Sequence, residues 1–261
     1  MKPKKNSILV VLLVFTFVPK TVGQDHINSW FRTTLSIPVS EKFKTDLEVQ
    51  HRRQNDFENE NLFDKNLMYT FRTWLYYKQN KDVVYAISPF AYFSNYKIIQ
   101  KESDAVAKPT NEYRFTASIE LQHELATKFY IVDRTAIEYR VFEGSIENTT
   151  RLRNRLAFRY DFNSKYNLSI GDEILVNTTG TDAQHMFDHN RAFSNFSYKP
   201  NAAVKFDIGY IYISRLTKNT IDLIDESNFY LNFTYTLQKR NQIKVNKTNF
   251  KNKYDYFLFN V

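Results

Sequence analysis

No cysteine occurs among the 261 residues. Disulfides and thiolate metal sites are therefore excluded. So is the acylated cysteine that anchors a bacterial lipoprotein. Glycine and proline are scarce, at 5 and 6 residues, too few for a collagen-like or linker-rich chain. Past residue 18 no apolar run approaches the roughly 20 residues that a membrane-crossing helix needs. No segment shows the 3.6-residue period of an amphipathic helix, and no long-period repeat is visible.

Aromatic residues are abundant instead: 23 Phe, 18 Tyr and 2 Trp make up 16% of the chain. Lys and Arg outnumber Asp and Glu by 36 to 28, a net charge of +8. Such a balance invites nucleic acid, anionic lipid or an acidic ligand as partner. The basic residues alternate with carboxylates and form no continuous stripe, which argues against nucleic acid.

The first 23 residues read as a secretory signal. Lys2, Lys4 and Lys5 precede the apolar stretch Ile8 to Val18. Pro19 and Lys20 end it too early for a membrane span, and Thr21, Val22 and Gly23 supply small residues at a cleavage site. The mature chain is expected to begin near Gln24, with residues 24–261 forming one β-barrel domain.

Period two dominates the mature chain. In 111–125, Glu112, Arg114, Thr116, Ser118, Glu120, Gln122 and Glu124 fall on one face, and Tyr113, Phe115, Ala117, Ile119, Leu121 and Leu125 on the other. Successive strand side chains point to opposite sides, so such a strand has one polar and one apolar face. The pattern predicts strands near 29–38, 42–53, 66–78, 82–95, 111–125, 128–142, 149–162, 165–177, 188–199, 202–214 and 227–238. Their connections alternate. Short ones lie at 40–41, 79–81, 126–127, 163–164 and 200–201, and long polar ones at 54–65, 96–110, 143–148, 178–187 and 215–226. Short turns on one rim and long loops on the other are the plan of an outer-membrane barrel.

The expected fold is thus an all-β, antiparallel, up-and-down transmembrane barrel. Even strand numbers are usual for such barrels. Twelve strands are expected, with the alternating residues 243–261 supplying the last. The alternative is ten, with the Trp30 strand outside the barrel. A soluble barrel would have to fit eleven bulky apolar faces inward, which would crowd it.

The segments SWFRTTLSI, NEYRFTASIELQHEL, DRTAIEYRVFE, RLRNRLAFRYDF, IGDEILVN, FDHNRAFSNFSYK, DIGYIYI and NFYLNFTYTL follow one another in this order. Together they resemble the family catalogued as domain of unknown function 2490, over about residues 28–238. The resemblance implies an outer-membrane barrel of a Gram-negative cell without an assigned activity. It carries no catalytic residue. Residues 239–261 extend past the usual end of the family.

The candidate site is a charged lumen. Arg114, Glu120, Arg134, Glu138, Arg140, Arg151, Arg153, Arg155, Arg159, Glu173 and Arg191 all fall on the polar faces of their strands. Arg52, Arg72 and Glu124 do so too, and Trp30, Trp74 and Phe193 are bulky residues on the same side. Guanidinium forks match carboxylates, so Glu138 and Glu173 can each pair with the arginines of 151–159. Paired, these groups brace a narrow barrel; unpaired, they form a cationic constriction that selects anions. Catalysis has thinner support. His123 with Ser118 or Ser145 could serve lipid hydrolysis, and His185, Asp188 and His189 form a loose potential metal cluster. No catalytic, metal-binding or cofactor-binding residue is assigned. The expected partners are outer-membrane lipids and the barrel assembly machinery, with a small solute or ion as cargo. The function expected is a structural barrel or narrow pore, and the alternative is a lipid-active hydrolase.

Overall fold

The computed structural model describes residues 26–57, 59–145, 147–217 and 222–238. Eleven strands close into one barrel: β1 His26–Pro38, β2 Phe43–Gln54, β3 Lys65–Lys78, β4 Val83–Asn95, β5 Thr110–Ala126, β6 Phe129–Phe142, β7 Thr149–Asp161, β8 Tyr166–Asn177, β9 Phe187–Tyr198, β10 Val204–Leu216 and β11 Leu223–Thr236. Each strand pairs antiparallel with its sequence neighbours. The barrel closes through β1 and β11, which run parallel from His26↔Glu226 to Ser36↔Thr236.

This corrects the expected count of twelve strands, and equally the alternative of ten. The Trp30 strand is a full barrel member, paired along one edge with β2 and along the other with β11. An odd number closes because the first and last strands can pair in parallel, so parity forces no twelfth strand. Residues 1–25, the expected leader and cleavage site among them, and residues 239–261, the expected last strand, lie outside the described residues. The connection expected at 215–226 is also shorter, since β10 runs to Leu216 and β11 begins at Leu223.

Four of the five short turns share one device. A side-chain oxygen accepts from the backbone N–H groups two and three residues on: Ser40 from Lys42 and Phe43, Asn80 from Asp82 and Val83, Asn163 from Lys165 and Tyr166, Asn201 from Ala203 and Val204. Such side-chain mimics of a turn satisfy donors that a tight reversal would orphan. The fifth turn holds Lys128 at φ +67°, a left-handed conformation uncommon outside glycine. Where β4 carries Pro89, which cannot donate to a ladder, the β4–β5 register shifts between Ser88 and Ala91.

The faces sort by chemistry. Outward residues include Val49, Phe71, Ile87, Phe115, Ile137, Leu152, Phe158, Ile174 and Leu231, all exposed. Outward aromatic rings gather toward the two rims. At the short-turn rim Phe43 meets Tyr77 and Tyr77 meets Tyr85, while Tyr166, Tyr198, Phe206 and Phe233 make a second chain of contacts. Toward the long loops His51 stacks on Tyr69, Tyr69 meets Tyr96, and Tyr113 meets both Phe90 and Tyr92. One outward polar patch interrupts this belt on β6–β9. Its acids are hydrogen-bonded across strands, Asn154 donating to Asp133 at 2.8 Å and Asn190 to Asp172 at 2.6 Å.

Inward, a small apolar core crosses the barrel. Trp30, Ala157, Phe193, Ile211, Ile213 and Tyr230 pack together and are buried. Two glycines make room for its rings against the wall. A Cβ at Gly171 would lie 2.6 Å from Cζ of Phe193, and one at Gly209 would lie 2.5 Å from Cζ of Tyr230.

Candidate functional site

The strand pleat delivers the arginines. β7 alternates Arg151, Arg153, Arg155 and Arg159 inward with Leu152, Leu156 and Phe158 outward. Its neighbour β6 presents Arg134, Glu138 and Arg140, and β8 presents Glu173. Glu138, fully buried, accepts from Nε and Nη2 of Arg151 at 2.9 and 2.5 Å and from Nη1 of Arg153 at 2.6 Å. Arg72 and Arg114 approach it to 3.8 and 4.0 Å. Arg153 also donates to Glu173 at 2.6 Å, and Arg191 reaches Glu173 at 3.2 Å. Arg153 is therefore a bridge between two carboxylates on opposite neighbouring strands.

Above this hub, toward the long loops, Glu112 takes Arg114 and a bidentate Arg140, the latter at 2.7 and 3.0 Å. Arg151 spans to Asp188 at 2.5 Å. Below the hub, Arg159 pairs with Asp161 at 3.0 Å and lies over the Tyr130 ring. Arg155 lies over Phe193, 3.9 Å from the ring centre. Glu120 and Arg134 face one another in register, yet no ion pair within 4 Å joins Glu120 to a cation among the described residues. Arg134 instead donates to Ser118 at 3.4 Å and lies over Trp74. All eleven sequence-selected residues thus sit on the inward side. Nine of them are joined to one another or to a further carboxylate or aromatic neighbour through Glu112, Glu138, Glu173, Asp161 or Phe193.

Sequence reasoning left Glu112, Arg215 and Glu226 out of the lumen network, and read Asp188 and His189 only as part of a loose metal cluster with His185. Glu112 was visible on the polar face of its strand. Arg215 and Glu226, paired at 2.8 Å, lie in the stretch read as loop. Asp188 was hidden by a register shift: Leu175 faces His189 but Val176 faces Phe187. The extra residue lets Asp188 and His189 both line the lumen.

A cavity of about 1770 Å³ opens between the long loops. Its inner end is lined by Arg52, Arg114, Arg140, Arg151, Arg191 and Arg215. Glu138, Glu173, Arg153 and the Trp30 core lie beyond its lining. The cavity is therefore a cup whose floor is the ion network, with the aromatic core beneath it.

Part of the cup wall is the ordered loop 96–109. Gln54 accepts from Ile99 N at 3.3 Å and donates to Lys97 O at 2.9 Å, tying the loop to β2. Burial opposes ionisation of Asp104, but the Lys97 ammonium and the N–H groups of Gln100 and Lys101 outweigh it and hold its pKa below the usual carboxylate value. A depressed carboxyl pKa contributes stability above the unfolded value and loses it as pH falls through the folded one. Amide protection at Gln100 and Lys101, corrected for intrinsic exchange, should thus stay level through neutral pH. It should fall only below about pH 4. Asp104→Asn should lose that protection at every pH, and equal protection in the variant would show that the carboxylate does not hold the loop.

The catalytic alternatives are not assembled. His123 points outward near the short-turn rim, whereas Ser118 points inward and Ser145 lies in a loop at the other rim. His185 is held by Asp182 and His189 by Asp188, and no group of three metal-binding side chains occurs among the described residues.

Residues 27–223 match the family described as "Protein of unknown function (DUF2490)". The chain belongs to this family. The match ends at the first residue of β11, so the closing strand lies just past it. No curated protein matches the chain. Among solved structures it is similar to the NanC porin, at 8% identity and a TM-score of 0.47, over 81% of this chain and 99% of that one. It is also similar to the outer membrane channel DcaP of Acinetobacter baumannii, at 10% identity and a TM-score of 0.32, over 74% and 80% of the two chains. What can be said of this DUF2490 protein therefore comes from its own geometry: an all-β, closed eleven-strand barrel with a charged lumen.

Proposed function

We propose that this DUF2490 protein is exported by a cleaved signal peptide ending near residue 23 and resides in the outer membrane of a Gram-negative cell. There it serves as a charge-braced barrel closed to free diffusion. The observation that carries this reading is the outer surface. Soluble monomers rarely expose apolar patches beyond a few hundred Å². Here exposed apolar side chains encircle the barrel, with aromatic rings clustered toward both rims, as at the two interfaces of a membrane barrel. Outer-membrane lipids and the barrel assembly machinery are then its partners. The long loops face outward from the cell and the short turns face the periplasm. Because β1 and β11 are parallel, β1 starts at the long-loop rim and β11 ends at the short-turn rim.

The ion network and the Trp30 core cross the lumen, so the barrel should conduct little. Barrels of about 16–18 strands leave a wide aqueous channel, whereas those of about 8 are filled by side chains, and the eleven strands found here lie nearer the filled end. Full-length protein should fractionate with the outer membrane, resist carbonate extraction and show heat-modifiable mobility. In planar bilayers it should give no large channel steps. Recovery as a soluble periplasmic monomer would end the membrane reading. Large stable conductance would end the closed-lumen reading while leaving the membrane one intact.

A further inference from the structure

We infer that the floor of the cup holds a small oxyanion, a carboxylate or a phosphate, between Arg52 and Arg191. The inference rests on the charged-lumen reading and does not depend on the membrane assignment.

The inner end of the cup and the hub beneath it carry unequal charge. Eight guanidiniums, those of Arg52, Arg72, Arg114, Arg140, Arg151, Arg153, Arg191 and Arg215, meet five carboxylates, those of Glu112, Glu138, Glu173, Asp188 and Glu226. The excess is local. Glu138 and Glu173 are taken up by the hub, Glu112 by Arg114 and Arg140, Asp188 by Arg151, and Glu226 by Arg215. Arg52 is left without a carboxylate within 4 Å among the described residues. Its Nε and Nη2 both donate to the neutral Oε1 of Gln50, at 3.1 and 3.0 Å.

Stacking holds Arg52 there despite its neighbours. Its guanidinium lies over the Trp30 indole, 3.4 Å from the ring centre. Such stacking keeps a weakly hydrated guanidinium in place without neutralising it. The charges that act on it most are three further guanidiniums, Arg191, Arg32 and Arg215, with one carboxylate, Glu226. Arg191 lies 6.0 Å from the same indole centre. One of its Nη groups meets Glu173, and its buried Nε has no acceptor among the described residues. Two guanidiniums with hydrogen-bonding capacity to spare thus face one enclosed space that opens to solvent.

Like charges gathered in a restricted space repel, and a bound anion relieves that repulsion while accepting from both forks. Carboxylate and phosphate both present paired oxygens at the spacing a guanidinium fork matches. The site differs from the hub in one testable respect. Removing Arg52 strands no buried carboxylate, so its loss should not weaken the fold.

The experiment is calorimetric titration of the full-length protein in detergent at low chloride, with inorganic phosphate in one arm and glucuronate in another. Glucose is the neutral control. One saturable site is expected for at least one of the two oxyanions, and the stronger arm names the ligand class. Arg52→Gln should weaken that binding at least tenfold with an unchanged melting temperature, and Arg191→Gln should weaken it similarly. Arg134→Gln, in the lower lumen, should bind as the parent does. Absence of saturable binding in both arms, or parental affinity in Arg52→Gln, would overturn the site. Equal binding of glucose would also overturn it, by removing the charge from the recognition. Loss of binding in a protein that remains heat-modifiable and membrane-integrated would count against the site alone. Intact binding in a soluble protein would count against the membrane reading alone.

Discussion

Replacing Glu138 by Ala is expected to destabilise the barrel by about 3–5 kcal/mol, the usual consequence of stripping the counter-charge from a buried ion cluster. Glu138 is fully buried and accepts three hydrogen bonds from Arg151 and Arg153, with Arg72 and Arg114 at its edge. Its loss leaves these cations facing one another. Arg153 retains Glu173 and Arg151 retains Asp188, so the barrel should still form, with a lowered midpoint. A urea titration of protein reconstituted in lipid vesicles reads the change. The double variant Glu138→Ala/Arg151→Ala should recover part of the loss, because one uncompensated charge leaves with its partner. An unchanged midpoint in the single variant would mean that water reaches the hub and that the lumen is open at this level.

The second large effect concerns the outer face. Phe71 lies mid-strand on β3, 39% exposed, opposite Val49 on β2 and Tyr92 on β4. Neither cross-strand neighbour carries a counter-charge. Phe71→Arg should cost about 2–4 kcal/mol in vesicles, the penalty for arginine near the midplane of a membrane barrel. In a barrel whose outer face met water the same change would be neutral or favourable, since it removes an exposed aromatic ring. The position matters. Leu156, also outward, lies between Asp133 and Asp172 in register, and an arginine there would find a counter-charge. Neutral behaviour of Phe71→Arg in lipid would contradict a bilayer-facing surface on β3.

The sidedness of the strands was legible in the sequence because period two assigns each residue to a face without knowing its neighbours. Arg151, Arg153 and Arg155 could be placed inward, and Leu156 and Phe158 outward, from β7 alone. The short turns were also legible, and their chemistry explains why: Ser40, Asn80, Asn163 and Asn201 each cap their own reversal. The eleven strands were each legible too, but how many of them close the barrel was not. It depends on how β1 meets β11, a contact between residues about 200 positions apart in the chain that no local pattern encodes.

The site was legible in kind but not in detail. Parity found Glu138 and Glu173, and their use of Arg153 as a shared bridge needed the register of β6, β7 and β8. The bulge in β9 broke parity at the point where Asp188 enters the lumen. Arg215 and Glu226 were lost for a different reason: they lie near strand ends, where the alternation is short and polar residues dominate both faces. The outward acids Asp133 and Asp172 obey parity yet run against the apolar character of their face. Their cross-strand amide partners Asn154 and Asn190 become apparent only once the strands are paired.

Both the closed lumen and the bilayer-facing surface require that β7 separate lipid from lumen. A lipid-soluble spin label or relaxation agent, read against single labels at 153, 155, 156 and 158 in reconstituted protein, tests it directly. Labels replacing Leu156 and Phe158 should show strong contact with the lipid phase, and those replacing Arg153 and Arg155 should show none. Lipid contact at 153 and 155 with none at 156 and 158, or equal water exposure at all four, would contradict the account.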